Sequence, residues 1–148
     1  MTKRLLSICL LLLLVAPAVT AQKIKQKKVP FDLLVVFRDA YPAATEQQWR
    51  KHPEGYLVKF EHLGKRKQAV YKANLEWVSR ESTLTKEELP LPALLHLQEN
   101  FAACDVQQVR ALEIPSKVTL EVIAYCTADK KTQLLRFDRN GRLLKEKD

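Results

Sequence analysis

Residues 29–50, VPFDLLVVFRDAYPAATEQQWR, lie without a gap over residues 89–110, LPLPALLHLQENFAACDVQQVR, at an offset of 60. Six positions are identical: Pro30 and Pro90, Leu34 and Leu94, Ala43 and Ala103, Gln47 and Gln107, Gln48 and Gln108, Arg50 and Arg110. Apolar character is kept at Val29 and Leu89, Phe37 and Leu97, Tyr41 and Phe101, and Trp49 and Val109. Such a duplication constrains the fold more than composition does. Each copy must build the same small unit, and neither buries enough apolar surface to stand alone.

Within each copy the periodicity predicts a helix followed by strands. A proline opens each helix, where its fixed φ and missing N–H are tolerated. Leu33, Leu34, Phe37 and Tyr41 recur at helical spacing, and Leu94, Leu97 and Phe101 do the same with Leu91 and Leu95 widening the stripe. Pro42 stops the first helix. The period then shortens to two. Gln47–Arg50 and Gln107–Arg110 read as first strands, and Tyr56, Val58 and Phe60 alternate up to a reversal at Leu63-Gly64 before Gln68–Ala73. Val118, Leu120, Val122 and Ala124 share one face of a further strand, which returns through Gln133–Phe137. Connections this short require antiparallel pairing. Asp138-Arg139-Asn140-Gly141 is a turn with glycine available for positive φ, whereas its counterpart Lys72-Ala73-Asn74-Leu75 lacks the glycine and is expected to be built differently or less tightly. The second copy needs about six extra residues between Arg110 and Phe137. The predicted class is α+β: a tandem repeat of a helix plus a three- to four-stranded antiparallel sheet, with the helices on one face.

The N-terminus reads as a secretory signal peptide over residues 1–21. Lys3 and Arg4 precede an apolar run from Leu5 to Val15, and Thr20-Ala21 closes a small-residue cleavage site. That run is too short to span a bilayer comfortably. Cys9 lies at its start after Ile8, unlike a lipid-attachment cysteine, and goes with the peptide. Residues 22–28 then form a basic tail, 29–78 the first repeat, 79–88 a polar connector between close-packed units, and 89–148 the second repeat. The formal charge is +8 for the whole chain. With 23 Lys and Arg against 17 acids, the processed chain carries +6, and +2 without Lys23, Lys25, Lys27 and Lys28. The basic balance belongs mostly to the tail, so nucleic acid is not an expected partner.

Val29-Pro30, Phe37, Tyr41-Pro42, Trp49, Gly55-Tyr56, Val58, Phe60, Tyr71 and Trp77, followed by Leu89-Pro90, Phe101, Phe137-Asp138 and Asn140-Gly141-Arg142-Leu143-Leu144, together resemble the PepSY-like, or beta-lactamase-inhibitor-like, domains of exported bacterial proteins, typical of Bacteroidetes. The resemblance covers about residues 28–146. It implies helices on one face of antiparallel sheets, with the other face open, as in the beta-lactamase inhibitor protein, whose concave sheet binds an enzyme. It brings no catalytic residues. The chain departs from the pattern at Leu75, where a turn glycine usually stands, and at Ala102, where Pro42 predicts proline.

Four residues are the expected protein-binding surface: Trp49, Arg50, Lys59 and Trp77. The tryptophans supply rigid contact area and the cations steer an acidic partner. Arg50, Lys51, Lys59, Lys65, Arg66 and Lys67 give the first copy a basic edge, also the pattern of a solvated hairpin tip. Cys104 and Cys126 are a candidate disulfide in an oxidising compartment, or two separately buried thiols. His52, His62 and His96 lack metal-ligand spacing, and Asp138 with Asn140 falls short of a calcium loop. Ser79, Ser82 and Ser116 carry no nucleophile motif. No cofactor, metal or catalytic site is expected. The leading expectation is a non-enzymatic periplasmic or secreted module that binds an envelope or secreted protein or peptide. The alternatives are a structural or stress-related envelope protein without a tight partner, and a carrier of peptides or small molecules in the cleft between repeats.

Overall fold

Pro30 and Pro90 each stand immediately before a ten-residue helix, α1 (Phe31–Ala40) and α2 (Leu91–Asn100). Tyr41 and Phe101 close them through N–H bonds to the carbonyls of Phe37 and Leu97, both 2.9 Å long. The computed structural model describes residues 22–144, so the expected signal peptide, Cys9 and the end of the second repeat lie outside the described residues. Strands β1 (Thr45–His52), β2 (Gly55–His62), β3 (Lys65–Lys72) and β4 (Trp77–Leu84) follow α1. Strands β5 (Cys104–Ile114), β6 (Lys117–Cys126) and β7 (Lys131–Asp138) follow α2. All seven join one antiparallel sheet in sequence order, with β4 paired to β5 where the two copies meet. The fold is α+β, with both helices packed on the same face of the sheet.

Two core clusters repeat the duplication. Val29, Leu33, Phe37, Trp49, Val58 and Tyr71 in the first correspond to Leu89, Ala93, Leu97, Val109, Val122 and Phe137 in the second. The second helix therefore buries the row Ala93–Leu97. Leu91 and Leu95, expected to widen its apolar stripe, are 66% and 45% exposed. Ala93 is fully buried at the position that Leu33 occupies in α1, and the flanking leucines turn outward.

Strand β4 corrects the sequence reading most. Residues 79–84, expected to be part of a polar connector, are a central strand bonded on both sides. Neither of its faces shows an apolar stripe, because Ser79, Glu81 and Thr83 alternate with Arg80 and Ser82. Backbone pairing and cross-strand partners hold it instead. The connector proper shrinks to Thr85 and the single turn Lys86–Glu88, fastened by a capping box between Thr85 and Glu88.

The extra residues of the second copy lengthen its hairpins. Trp49 faces Val58 across β1 and β2, nine positions on, whereas Val109 faces Val122 thirteen positions on. The β5–β6 hairpin thus runs to the start of β4, where its turn comes level with Trp77. The turn without glycine is built in the same way as its counterpart, contrary to expectation. Lys72 donates to Glu76 O and Leu75 to Lys72 O, as Asp138 donates to Arg142 O and Gly141 to Asp138 O. Leu75 takes φ 75° where Gly141 has φ 83°. That left-handed backbone costs a non-glycine residue about 1 kcal/mol, which the packing of Leu75 against the first core offsets.

Both sheet edges are partly covered. Ile24 donates to Trp49 O (3.0 Å) and Lys51 to Gln22 O (3.1 Å), so the start of the basic tail lies along β1 rather than free. Leu144 donates to Arg136 O (2.7 Å) along β7. Covered edges do not template pairing with other chains.

Candidate functional site: the open face of the sheet

Side chains of a strand alternate between faces, so Trp49 and Arg50 cannot share one. Trp49 points to the helices, 2% exposed, edge-on to Phe37 with ring centroids 5.3 Å apart. It offers no contact area to a partner, which corrects its place in the expected surface. Trp77 also lies on the helix side, half-buried against the first core, with the Arg80 guanidinium 4.3 Å from its ring. A register shift between Val70 and Tyr71 sets it there opposite Tyr71. Arg50 and Lys59 remain together on the open face, opposite Leu57 and Gln48 respectively. Lys59 is exposed and borders a shallow trough of about 380 Å³ with Gln48, Glu61, Arg66, Gln68 and Glu81.

The basic edge is partly neutralised. Lys65 pairs with Glu88, and Arg66 Nε lies 3.9 Å from Glu61. Lys51 sits over the Tyr56 ring, 4.0 Å from its centroid, on the helix side. Arg50 and Lys59 make no ion pair among the described residues, and Arg50 Nε is buried without a hydrogen-bond partner.

A charged ladder crosses the same face from one copy to the other. Gln68 Nε2 donates to Glu81 Oε2 (2.9 Å), and Arg110 bridges Glu81 (3.3 Å) and Glu121 (2.6 Å). Arg136 Nε donates to Glu121 Oε1 (2.9 Å). Sequence reading missed this ladder. The clue was the alternation of Val118, Leu120, Val122 and Ala124, which puts Glu121 on the opposite, open face. Glu121 is nonetheless only 3% exposed, because the flanking arginines lie over it. Burial alone would raise its pKa, but hydrogen bonds and charge from Arg136 and Arg110 hold it below the ordinary value of 4.5.

A carboxylate with a lowered native pKa stabilises the fold fully above its unfolded value and ceases to do so as pH falls through the native one. Denaturant midpoints of the wild-type chain are therefore expected to fall as the pH drops below the ordinary carboxylate range, and Glu121→Gln should flatten part of that fall. At neutral pH Glu121→Ala is expected to cost about 2 kcal/mol, discounted because both arginines are partly exposed. An unchanged midpoint would remove the ladder from the account of stability.

Cys104 and Cys126 occupy opposed register positions at one end of the β5–β6 hairpin and are joined, S–S 1.99 Å. Closing a loop of this length stabilises by about 3 kcal/mol in the chain-entropy description. The native chain without residues 1–21, and hence without Cys9, is expected to gain two alkyl groups by intact mass only after reduction. Two thiols alkylated without reductant would overturn the bond.

Among the described residues no group of three or more His, Cys, Asp or Glu is placed to hold a metal ion. Asp138 accepts the N–H groups of Asn140 (2.8 Å) and Arg142 (2.9 Å), the arrangement of a capped turn, and the Arg142 bond leads in lowering its pKa. No described helix is long and apolar enough to cross a membrane.

No family model and no curated protein matches the sequence. Solved structures do match. A BLIP-like protein of Bacteroides fragilis superposes with a TM-score of 0.68 at 25% identity, over 81% of this chain and 86% of the other. The chain has a BLIP-like fold. The same BLIP-like arrangement is shared with a DUF2874 family protein of Bacteroides uniformis, TM-score 0.68 and 18% identity over 79% and 87% of the two chains. A Bacteroides eggerthii protein described as periplasmic gives TM-score 0.69 and 18% identity over 79% and 86%. Among the described residues the open face of this BLIP-like fold holds the charge ladder, amides and the unpaired Arg50 and Lys59, and no group placed to hold a metal ion.

Proposed function

We propose that the chain is an exported PepSY-like module that binds another envelope or secreted protein through the open face of its sheet, without catalysing a reaction. The signal-peptide grammar of residues 1–21 supports export, and the recurring motif elements support the PepSY-like assignment. One observation carries the binding reading. Arg50 and Arg110 are repeat equivalents on the same face, yet Arg110 meets Glu121 across the ladder while Arg50 meets Leu57. The duplicated cation is neutralised internally in the second copy and left open beside Lys59 in the first. Two unpaired cations beside a polar trough favour an acidic surface on the partner.

The test is a pull-down from envelope extract with the processed chain, compared with a variant carrying Arg50→Glu and Lys59→Glu. The expected result is a specific partner whose retention by the variant drops at least about tenfold, the loss of roughly 1.4 kcal/mol. A partner held equally by both would overturn the assignment to this face. The carrier reading finds less support: the cavity over β3–β5 measures only about 70 Å³, well below the roughly 300 Å³ of ordinary small-molecule sites, and the hollow of about 420 Å³ that Trp77 shares with Glu113–Val118 and Asp138–Asn140 is lined mostly by charged and polar residues rather than apolar ones.

A further inference from the structure

That small cavity has a different use. It lies on the helix side of the sheet, beside the end of α1, and is lined by Tyr41, Lys67, Arg80, Ser82 and Glu113. Glu81 borders it as well, but its carboxylate is bonded to Gln68 and Arg110 on the other face. Arg80 and Glu113 are register partners across β4 and β5, where an ion pair would be expected. None forms within 4.0 Å among the described residues. The guanidinium stacks instead on Trp77 (4.3 Å), with the Tyr41 ring 5.9 Å away. Stacking uses the face of a guanidinium and leaves its in-plane N–H groups free. Arg80 Nε is buried without a hydrogen-bond partner, and the Tyr71 hydroxyl, which also completes no hydrogen bond of full geometry, lies close enough to the Arg80 guanidinium to feel it. Burial pushes that phenol up to about 12, so it is a neutral hydroxyl under all ordinary conditions. Lys67 adds a second cation, its Nζ 5.8 Å from the centre of the Tyr41 ring, and has no ion pair among the described residues.

The geometry points to this cavity as a receptor for a single carboxylate group, held by the Arg80 fork and Lys67 with Tyr41 in its wall. Two features select that chemistry. A cavity of about 70 Å³ admits one small anionic group but no ring. Two cations less the Glu113 charge leave one positive charge, which a monoanion neutralises and a phosphate dianion would exceed. The carboxylate comes either from a small acid or from the C-terminus of a peptide. The cavity is on the face opposite Arg50 and Lys59; Lys67 also borders the trough, whereas Arg80 does not.

The experiment titrates the processed, oxidised chain at constant ionic strength while following the Arg80 Nε–H resonance. The probes are acetate, an acetylated tripeptide with a free C-terminus, its C-terminal amide, and inorganic phosphate. Acetate is expected to give a saturable shift, and phosphate a weaker response. The free tripeptide binding more tightly than acetate while its amide fails assigns a peptide end; equal binding of acetate and tripeptide assigns free acids. Arg80→Gln is expected to weaken acetate binding at least about tenfold and Lys67→Gln a few-fold, while Arg50→Gln leaves it unchanged. Amide dispersion verifies that each variant is folded, and Lys67→Gln, which alters a half-buried side chain, keeps the test available should Arg80→Gln unfold. A shift that grows linearly without saturation, or tighter binding of phosphate than of acetate, would overturn the proposal.

Discussion

Trp49→Ala is expected to lower the stability of the folded chain by about 4 kcal/mol, read as a shift of the denaturant midpoint with an unchanged slope. Trp49 is among the largest fully buried side chains and joins α1 to β1 through Phe37. Removing it leaves a cavity between the helix and two strands that Val58 and Phe60 cannot fill. Trp49→Phe should cost far less. It keeps most of the apolar area and deletes an indole N–H that is buried without a partner. The pair of variants separates a core role from a binding role. If Trp49→Ala left stability within about 0.5 kcal/mol and impaired only partner capture, the residue would belong on a surface after all.

Gly55→Ala is expected to cost about 3 kcal/mol or to prevent folding. Gly55 opens β2 with φ 147°, a conformation that side-chain-bearing residues rarely adopt. A Cβ there would stand 2.3 Å from the Tyr71 carbonyl oxygen and 3.0 Å from Lys72 Cα, both backbone atoms of the neighbouring strand that cannot step aside. Gly64, at the tip of the next hairpin, has open space around the same point and serves as the comparison. Gly64→Ala should cost only its backbone strain of about 1 kcal/mol. Equal losses at the two glycines would show that φ alone matters and that the close approach of β2 to β3 does not.

Much of the architecture was legible because it was written twice. The prolines before each helix, the 3.6-residue spacing of Leu33 and Phe37, and the alternation of Val118, Leu120, Val122 and Ala124 are local signals. Their repetition at fixed offsets settled the order of elements. What the residue types could not reveal was β4. A central strand between two paired neighbours needs no apolar stripe, and Arg80, Glu81 and Ser82 read as solvent-facing until the partners on either side are known. The misplacement of Trp49 has a simpler cause. Its chemistry groups it with Arg50, but adjacent strand residues point to opposite faces.

By itself, the sequence determined the duplication, the helix and most strand positions, the secretory grammar of the N-terminus and the pairing available to two cysteines, because each of these depends on neighbours in the chain. The tertiary structure alone decided that the two copies fuse into one seven-stranded sheet, that Arg110 is neutralised by Glu121 while its equivalent Arg50 is not, and that Arg80 turns from Glu113 onto Trp77. Those outcomes rest on contacts between residues far apart in sequence, whose register follows from strand pairing and hairpin length. The four added residues between Val109 and Val122 change both, carrying the β5–β6 hairpin out to Trp77 and making two nearly equal copies chemically unlike.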